Sequence, residues 1–188
     1  MYVTDRLAQV AVAIGRIVIG VIFLWAGMEK LLGSGAEGFS AAGFLQFGTG
    51  GSLGWPFVTG EVAEGTVFNP THDFWAGLAT NGSLMPIVNF LVVAGQIGIG
   101  LGLILGLLTR FSAVMGTLMM LFFFFAAWEF EFGIVNQHLT YAVVTFGLAV
   151  VGAGNYFGLD AVVGPMVGER IRWWLLSGDR HDELPATT

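Results

Sequence analysis

The sequence predicts an all-α, polytopic membrane protein: a bundle of four transmembrane helices followed by an amphipathic helix at the membrane interface. Of the 188 residues, 55% are hydrophobic and only 11% are charged, whereas soluble domains carry about 25% charged residues. The mean hydropathy is +0.79. Four segments hold the roughly 20 mostly apolar residues that a helix needs to cross a bilayer. A fifth, near the end of the chain, combines apolar and basic residues.

The composition also excludes several kinds of function. The chain contains no cysteine, which excludes disulfides, thiolate catalysis, iron–sulfur ligation and covalently attached haem. The net charge of -6 provides no basic surface for nucleic acid. The sequence has no glycine-rich phosphate loop, no metal-ligand spacing and no catalytic-triad signature. We therefore expect neither a metal site nor a covalently bound cofactor.

The four predicted spans cover residues 7–32, 84–109, 111–128 and 136–151. We expect the first to be retained rather than cleaved as a signal peptide, because its apolar run is long and no small-residue cleavage site follows it. Little more than Arg110 separates the second and third spans, which predicts a tight antiparallel hairpin. With a long connection over about residues 33–83, the spans form a predicted membrane domain of residues 1–160.

The long connection is rich in glycine and aromatic residues. Long loops without secondary structure are uncommon. We expect its aromatic side chains to pack against the bundle or the headgroups, in part from short interfacial helices. These side chains are Phe39, Phe44, Phe47, Trp55 and Trp75.

Residues 161–178 predict an amphipathic helix that lies on the membrane, with Pro165 in its first turn. Arg170 and Arg172 are long enough to reach the headgroups from its edges. Residues 179–188 predict a polar, mobile tail. The apolar side of the predicted helix carries Val167, Ile171, Trp174 and Leu175.

Basic residues predict the orientation in the cell membrane. With four spans, the N-terminus, the turn near Arg110 and the tail lie on the same side. The opposite side has only Lys30. Because cytoplasmic loops are enriched in Lys and Arg, we expect both termini in the cytoplasm and the long loop outside. The basic residues on the predicted cytoplasmic side are Arg6, Arg110, Arg170, Arg172 and Arg180.

The first span carries its basic residues on one face. A helix turns by about 100° per residue, so Glu29 lies about 220° from Arg16 and off that face. Small residues mark close helix contacts in membranes. Arg16 is therefore predicted to face protein, since a charge in lipid costs roughly 2.5–3.5 kcal/mol or more. The face consists of Arg16, Gly20, Phe23, Gly27 and Lys30.

The second and fourth spans also carry polar residues on particular faces. Turned inward, these faces predict a polar column from the outer surface to Arg16 and Gln96 near the middle of the membrane. A separate row of small residues on the second span, every fourth residue, predicts a packing ridge. The ridge consists of Ala94, Gly98, Gly102 and Gly106. The polar face of the second span carries Asn89, Gln96, Gly100, Leu103 and Arg110; that of the fourth carries His138, Thr145, Ala149 and Gly152, flanked by Tyr141.

The candidate ligand-binding residues are Arg16, Lys30, Asn89, Gln96, His138 and Tyr141, with Glu129, Glu131, Arg110 and Asp160 as secondary candidates.

Structural alternatives accompany these assignments. Arg16 and Gln96 are equally suited to bonding each other or backbone carbonyls. Lys30 can reach the headgroups, and His138 fits a hydrogen-bonded histidine at a helix start. The glutamates fit ordinary solvated acids. Haem is not expected, because the spans offer no second histidine as an axial ligand.

Three segments resemble the DoxX/DoxD family of small four-helix membrane proteins: "RIVIGVIFLWAGMEKL", "GLGLILGLLTRFSA" and "GAGNYFGLD". The positions that match the family pattern are Arg16, Gly20, Gly27, Lys30, Arg110 and Asp160. The DoxD branch resembles the small subunit of thiosulfate:quinone oxidoreductase, and other members resemble membrane partners of redox-defence enzymes. Gln96 stands where the family often has an acidic residue, which weakens a proton-carrying role at that position.

The resemblance implies a membrane subunit of a quinone-linked redox complex, with a quinone as its cofactor and with the electron carrier supplied by a partner protein. In this hypothesis Arg16 and Lys30 supply positive charge to a quinone headgroup or a small sulfur oxyanion, while Gln96 and His138 supply hydrogen bonds. Two alternatives remain open: a non-catalytic scaffold subunit and a small-molecule transporter. Other membrane proteins or further copies of the chain are the expected partners.

Overall fold

The computed structural model describes residues 5–33, 38–47, 69–128 and 135–177. Within these ranges the regular secondary structure is helical throughout, which confirms the all-α membrane class. The helices are α1 (Arg6–Gly33), α2 (Ala42–Phe47), α3 (His72–Ala79), α4 (Met85–Leu105), α5 (Thr109–Ala127), α6 (Gln137–Val150), α7 (Asp160–Val163) and α8 (Glu169–Leu175). Two 3₁₀ turns, Ala153–Asn155 and Gly164–Met166, follow α6 and α7.

Each predicted span coincides with a helix, but the four helices differ in length. Among the described residues, α1, α4 and α5 are long and apolar enough to cross a membrane, with 28, 21 and 19 residues. The fourth, α6, is apolar but has 14 residues. It is about 21 Å long, shorter than a hydrocarbon core of about 30 Å. It ends because Gly152 adopts a left-handed conformation (φ 62°) and turns the chain into a 3₁₀ turn.

The turn between the second and third spans lies earlier than the sequence predicts. Gly106 (φ 64°) ends α4 in a left-handed conformation, and Leu108 (φ 52°) is left-handed as well. These two residues reverse the chain before Thr109, where α5 begins. Arg110 therefore lies in the first turn of α5, not in the connection. The end of α4 could not be predicted from the sequence, because the apolar run continues past it without a break.

Helix α1 packs against α4 with their backbones in close contact. A Cβ at Gly100 would lie 2.6 Å from a backbone nitrogen of α1. A Cβ at Gly20 would lie 2.9 Å from the Ile104 nitrogen, and one at Gly27 would lie 3.0 Å from the Ile97 nitrogen. The contacts descend along α4 as they ascend along α1, so the two helices are antiparallel. Glycine permits this approach because it carries no side chain.

The packing ridge predicted on α4 is wrong as a single row. Gly98 is exposed, and no atom of the described residues lies within 4 Å of the position a Cβ would take there. Gly102 faces Ser112 of α5, and Gly106 lies in the turn. Gly100, placed by the sequence on the polar face, makes the contact instead. Residues four apart drift by about 40° per step, so such a row winds around the helix and cannot face one neighbour throughout.

The bundle closes around the side chain of Phe23. A Cβ at Gly116 would lie 3.4 Å from that ring and 3.3 Å from Ile99 and Thr145. The hydroxyls of Thr117 and Thr145 are 2.9 Å apart and join α5 to the antiparallel α6. Each hydroxyl also lies within hydrogen-bond distance of a carbonyl one turn earlier in its own helix, so neither lacks a partner in the apolar interior. The surrounding core consists of Ile19, Leu103, Ala113, Met120, Ala142, Leu148, Ala149 and Ala153.

Helices α2 and α3 cover one end of the bundle, which we call the loop end; the opposite end, where α1 begins and α4 finishes, is the arginine end. Asn69 Nδ2 donates to the carbonyls of Phe125 (2.9 Å) and Ala126 (3.2 Å), which lie in the last turn of α5. The backbone nitrogen of Ala41 donates to Asn89 Oδ1 of α4 at 2.9 Å. These bonds dock both short helices onto the bundle.

The aromatic residues of the connection pack as expected where the structure describes them. Trp75 is buried, and the ring of Phe44 meets that of Phe123 edge to face with centroids 5.8 Å apart. Phe39 packs against the same cluster as Trp75. Trp55, the side chain of Phe47, Glu129, Glu131 and residues 179–188 lie outside the described part of the chain.

The region predicted as one amphipathic helix consists of separate short elements. Helix α7 and a 3₁₀ turn precede α8, and Pro165 lies in that turn instead of starting the amphipathic helix. Val167, between the turn and α8, has extended backbone geometry. Large apolar side chains nevertheless remain exposed along this segment: Val162, Met166, Ile171, Trp173 and Trp174.

The close contact between α1 and α4 predicts a difference between two glycines on the same helix. Gly100→Ala should lower the free energy of unfolding by about 1–3 kcal/mol, because the new methyl group meets backbone atoms that cannot move aside. Gly98→Ala is the matched control and should not destabilise the protein, since open space surrounds that position. Denaturation in mixed detergent micelles, followed by circular dichroism, measures both. Equal losses for the two variants would contradict the assigned contact.

Candidate functional site

Arg16 is buried at the arginine end of the bundle, with 1% of its surface exposed. Its Nη1 donates to the Ala153 carbonyl (3.4 Å) and its Nη2 donates to the Phe157 carbonyl (3.2 Å). A Cβ at Gly106 or at Gly158 would overlap Nη1, so two glycines leave room for the guanidinium. Arg16 therefore faces protein, and its partners are backbone carbonyls just beyond α6.

Asp160 is the acidic residue buried at the same end, with 2% of its surface exposed. Its Oδ1 accepts from the Leu108 nitrogen (2.8 Å), and its Oδ2 accepts from the Thr109 nitrogen (3.1 Å). A carboxylate is favourable there, because the first amides of a helix lack internal partners and carry a partial positive charge. Ser177 Oγ also donates to Oδ2 at 2.9 Å, and accepts from the Gly154 nitrogen at 2.8 Å.

We call Arg16, Asp160 and Ser177, together with the backbone that they contact, the arginine-end cluster. It joins α1, the turn before α5, the segment after α6 and the chain beyond α8. Asp160 attracts Arg16 electrostatically, yet each group bonds to backbone atoms rather than to the other. Thr109 Oγ1 and Arg16 Nε are buried without a hydrogen-bond partner in the described structure. Most polar atoms of the cluster thus hold the fold together.

Gln96 lies at another depth, which corrects the predicted polar column. Its Cβ is 3.1 Å from the position that a Cβ would take at Gly27, and Gly27 lies about 16 Å further along α1 than Arg16. Arg16 and Gln96 therefore do not pair, and the column is not continuous. Arg16 lies beside the C-terminal end of α4, not near the middle of the membrane as predicted. In addition, helical side chains lean towards the N-terminus of their own helix. Both effects carry its guanidinium towards the arginine end.

Gln96 has 3% of its surface exposed, and its Oε1 has no hydrogen-bond partner among the described residues. A buried acceptor without a donor costs about 1–3 kcal/mol. Gly116 of α5 lies beside Ile99 of α4 and Thr145 of α6. One turn nearer the loop end, the same three helices carry Met120, Gln96 and Tyr141 respectively. Gln96 Oε1 is therefore a buried acceptor without a donor on the side of α4 that contacts α1 at Gly27.

Three further candidates, Lys30, Asn89 and His138, lie at the loop end, and the first two bond to backbone atoms of the chain. Lys30 Nζ donates to the Ala26 carbonyl (3.3 Å) and lies 5.7 Å from the centre of the Phe39 ring. Asn89 holds the start of α2 through the amide of Ala41. The ring of His138 meets Phe123 edge to face, with centroids 5.8 Å apart. The structure thus gathers Lys30, Asn89 and His138 near one end and separates them from Arg16.

Arg110 connects α5 to α8 outside the bundle interior. Its Nη1 donates to the Trp173 carbonyl at 2.6 Å, and its guanidinium carbon lies 5.4 Å from the centre of the Trp173 ring. Sequence reasoning missed Ser177, which it assigned to the end of the amphipathic helix, and Thr109, which it assigned to the second span. The spacing of Ser177 from Asp160 gives no periodic signal, because a turn and two short helices separate them.

The arginine-end cluster predicts a graded loss of stability. Asp160→Ala should lower the free energy of unfolding by about 3–5 kcal/mol, because it leaves two helix-start amides and a buried guanidinium without their anion. Ser177→Ala removes one side chain of the same cluster and should cost about 1 kcal/mol. Asp73→Ala is the control, since Asp73 is exposed in the first turn of α3, where its charge contributes at most about 1 kcal/mol. Chemical denaturation in micelles measures all three; similar losses for Asp160 and Asp73 would contradict the cap.

Comparison with known protein families gave a match. A family model described as DoxX matches residues 11–129, which is more than half of the chain. The match includes Arg16, Gly20, Gly27, Lys30 and Arg110, and Asp160 lies beyond it. A search of curated proteins and a search of solved structures gave no match.

Proposed function

The chain belongs to the DoxX family, and on this premise we propose that it is a membrane subunit of a quinone-linked redox complex. The helices supply the environment in which a lipophilic quinone moves. The observation that supports the proposal is the buried Oε1 of Gln96, an acceptor without a donor inside the bundle. If Gln96 served only to pack the helices together, an apolar side chain at that position would make the protein more stable.

The proposed headgroup site lies around Gln96, with Tyr141 at the same depth and His138 one turn nearer the loop end. A hydroxyl of a reduced quinone would donate to Gln96 Oε1, and the amide nitrogen of Gln96 can donate to a carbonyl of the oxidised form. A quinone supplies the ability to carry two electrons and two protons. The chain's own side chains would orient the ring and exclude water. The sulfur oxyanion is not retained as a ligand, because Arg16, one of its two predicted cations, bonds to backbone carbonyls and lies about 21 Å along α1 from Lys30, the other.

The electron carrier is proposed to come from a partner protein, because a subunit of this kind supplies binding and orientation while a cofactor supplies the redox chemistry. The sequence contains no motif for such a cofactor and no cysteine. Partner proteins of the membrane or of its surface are therefore part of the proposal.

A scaffold subunit is the second candidate, and a specific observation favours it. Arg16 and Asp160, the buried charged side chains of the described ranges, both bond to backbone groups of the chain itself. Asn89 likewise holds α2. A protein whose polar side chains mainly stabilise its own fold suits an anchoring role. The transporter alternative has no comparable observation in its favour.

Substitution of Gln96 separates the quinone site from the scaffold. Gln96→Met keeps an unbranched side chain of similar length but removes the amide. We expect binding of a short-chain quinol to weaken by up to about tenfold, the value of one hydrogen bond. Stability without quinol should stay equal or rise, because the unpaired acceptor is gone. Quenching of tryptophan fluorescence in detergent measures the binding.

Thr117→Val is the matched control. The Thr117 hydroxyl is already bonded to Ala113 and Thr145, so its removal should leave quinol binding unchanged. If the wild-type protein binds no quinol, or if Gln96→Met binds it equally well, the quinone proposal is wrong. Purification from native membranes with mass spectrometry then distinguishes the scaffold, which should retain protein partners and no quinone.

The proposed orientation places both termini in the cytoplasm and the loop end outside. Because the chain contains no cysteine, a single introduced thiol reports one position without ambiguity. Ser83→Cys, exposed before α4, should react with a membrane-impermeant maleimide in intact cells. Gly168→Cys, exposed before α8, should react only after lysis. The reverse pattern would overturn the proposed orientation.

A further inference from the structure

The short helix α8 has an apolar face that the rest of the described chain leaves uncovered. Trp174 and Ile171 are about 60° apart on the helix, and Leu175 lies about 40° beyond Ile171. Trp174 is 68% exposed and Ile171 is 50% exposed. A helix that presents such a face at the end of a membrane bundle lies at the boundary between the headgroups and the acyl chains.

Basic side chains border this apolar face. Arg170 lies about 40° from Trp174 on the side away from Ile171, and it is exposed. Trp173 lies three residues after Arg170, which makes the two side chains neighbours on the helix surface. The guanidinium of Arg110 lies against the ring of Trp173. Arg110 and Arg170 therefore flank Trp173, beside the face that meets the lipid.

The position of α8 is fixed by bonds on both of its sides. Arg110 Nη1 donates to the Trp173 carbonyl at 2.6 Å, and Ser177 Oγ donates to Asp160 at 2.9 Å. Leu176, which lies between Trp173 and Ser177 in the sequence, is buried. The helix is thus held against the bundle, and its exposed side chains keep a defined direction.

Arg110 is held in place with most of its donors unused. The bond to the Trp173 carbonyl takes one N–H of the guanidinium, and the indole face takes no N–H donor. The remaining donors of a guanidinium match the oxygens of a phosphate. Among the described acidic side chains, none bonds to Arg110 or Arg170, so their charges are available to an anion.

From this arrangement we propose that Arg110 and Arg170 bind the phosphate of an anionic phospholipid in the adjacent leaflet, with Trp173 and Trp174 in its headgroup layer. Tryptophan favours that layer because its ring is apolar and its N–H is polar. An anionic lipid is favoured over a zwitterionic one because no ammonium group offsets its phosphate. The inference does not depend on the quinone site, which lies in the interior around Gln96.

Lipid retention by the full-length protein tests the proposal. The protein in neutral detergent is titrated with phosphatidylglycerol or with phosphatidylcholine of the same acyl chains, and native mass spectrometry counts the lipids that stay bound. We expect phosphatidylglycerol to be retained preferentially. Arg110→Gln and Arg170→Gln should each weaken its binding about fivefold, the contribution of one arginine near an anionic surface. Salt should weaken it as well.

Arg6→Gln is the matched control, because Arg6 is exposed at the same end but starts α1; it should leave the binding unchanged. Arg170→Lys keeps the charge and should retain most of it, which separates lost charge from a misfolded helix. Inorganic phosphate should compete only weakly, since it lacks acyl chains for the apolar face; competition at equal concentration would identify a soluble phosphate ligand instead. Equal retention of the two lipids, or full retention by a variant that combines Arg110→Gln with Arg170→Gln, would overturn the proposal.

Discussion

The fold depends on how a membrane bundle accommodates the carboxylate of Asp160. That group is buried, and its two oxygens accept from the amides of Leu108 and Thr109, where α5 begins, and from the hydroxyl of Ser177. An ionised group out of water is tolerated only when such bonds replace its hydration. Asp160 lies far along the chain from the helix that it caps, so the cap also closes the tertiary structure. The tight turn before α5, with left-handed Leu108, places both amides at the carboxylate.

The arginine on the first helix extends the same constraint to α1. Arg16 bonds to carbonyls beyond α6, and it fits because Gly106 and Gly158 lack side chains. Close packing of α1 on α4 through Gly20 and Gly100 brings the guanidinium to that end of α4. Polar anchoring at one end and glycine-mediated contact along the helices are therefore interdependent. Gln96 Oε1 gains no hydrogen bond from this network, and for that reason the proposed quinone site is placed around it.

The sequence predicted well what depends on local periodicity. The spans were located to within a few residues, and helical phase correctly turned Arg16 towards protein and separated it from Glu29. Phase does not give height relative to a neighbouring helix, so Arg16 and Gln96 were wrongly placed at one depth. Gly98 and Gly100 lie two residues apart in an apolar run. Only the packing of α1 shows that Gly100 makes the helix contact and Gly98 does not. The partnership of Asp160 with Ser177 arises from turns that have no period.

The bond from Arg16 to Ala153 and Phe157 has a consequence for how the protein is made. A ribosome completes the first helix well before it reaches the segment that supplies those carbonyls. During that interval the newly inserted helix carries a guanidinium whose final partners do not yet exist. Its location near the end of the bundle lets the long side chain stay among headgroups and water until then. Burial of this charge inside the protein therefore has to wait until residues 153–157 have been made.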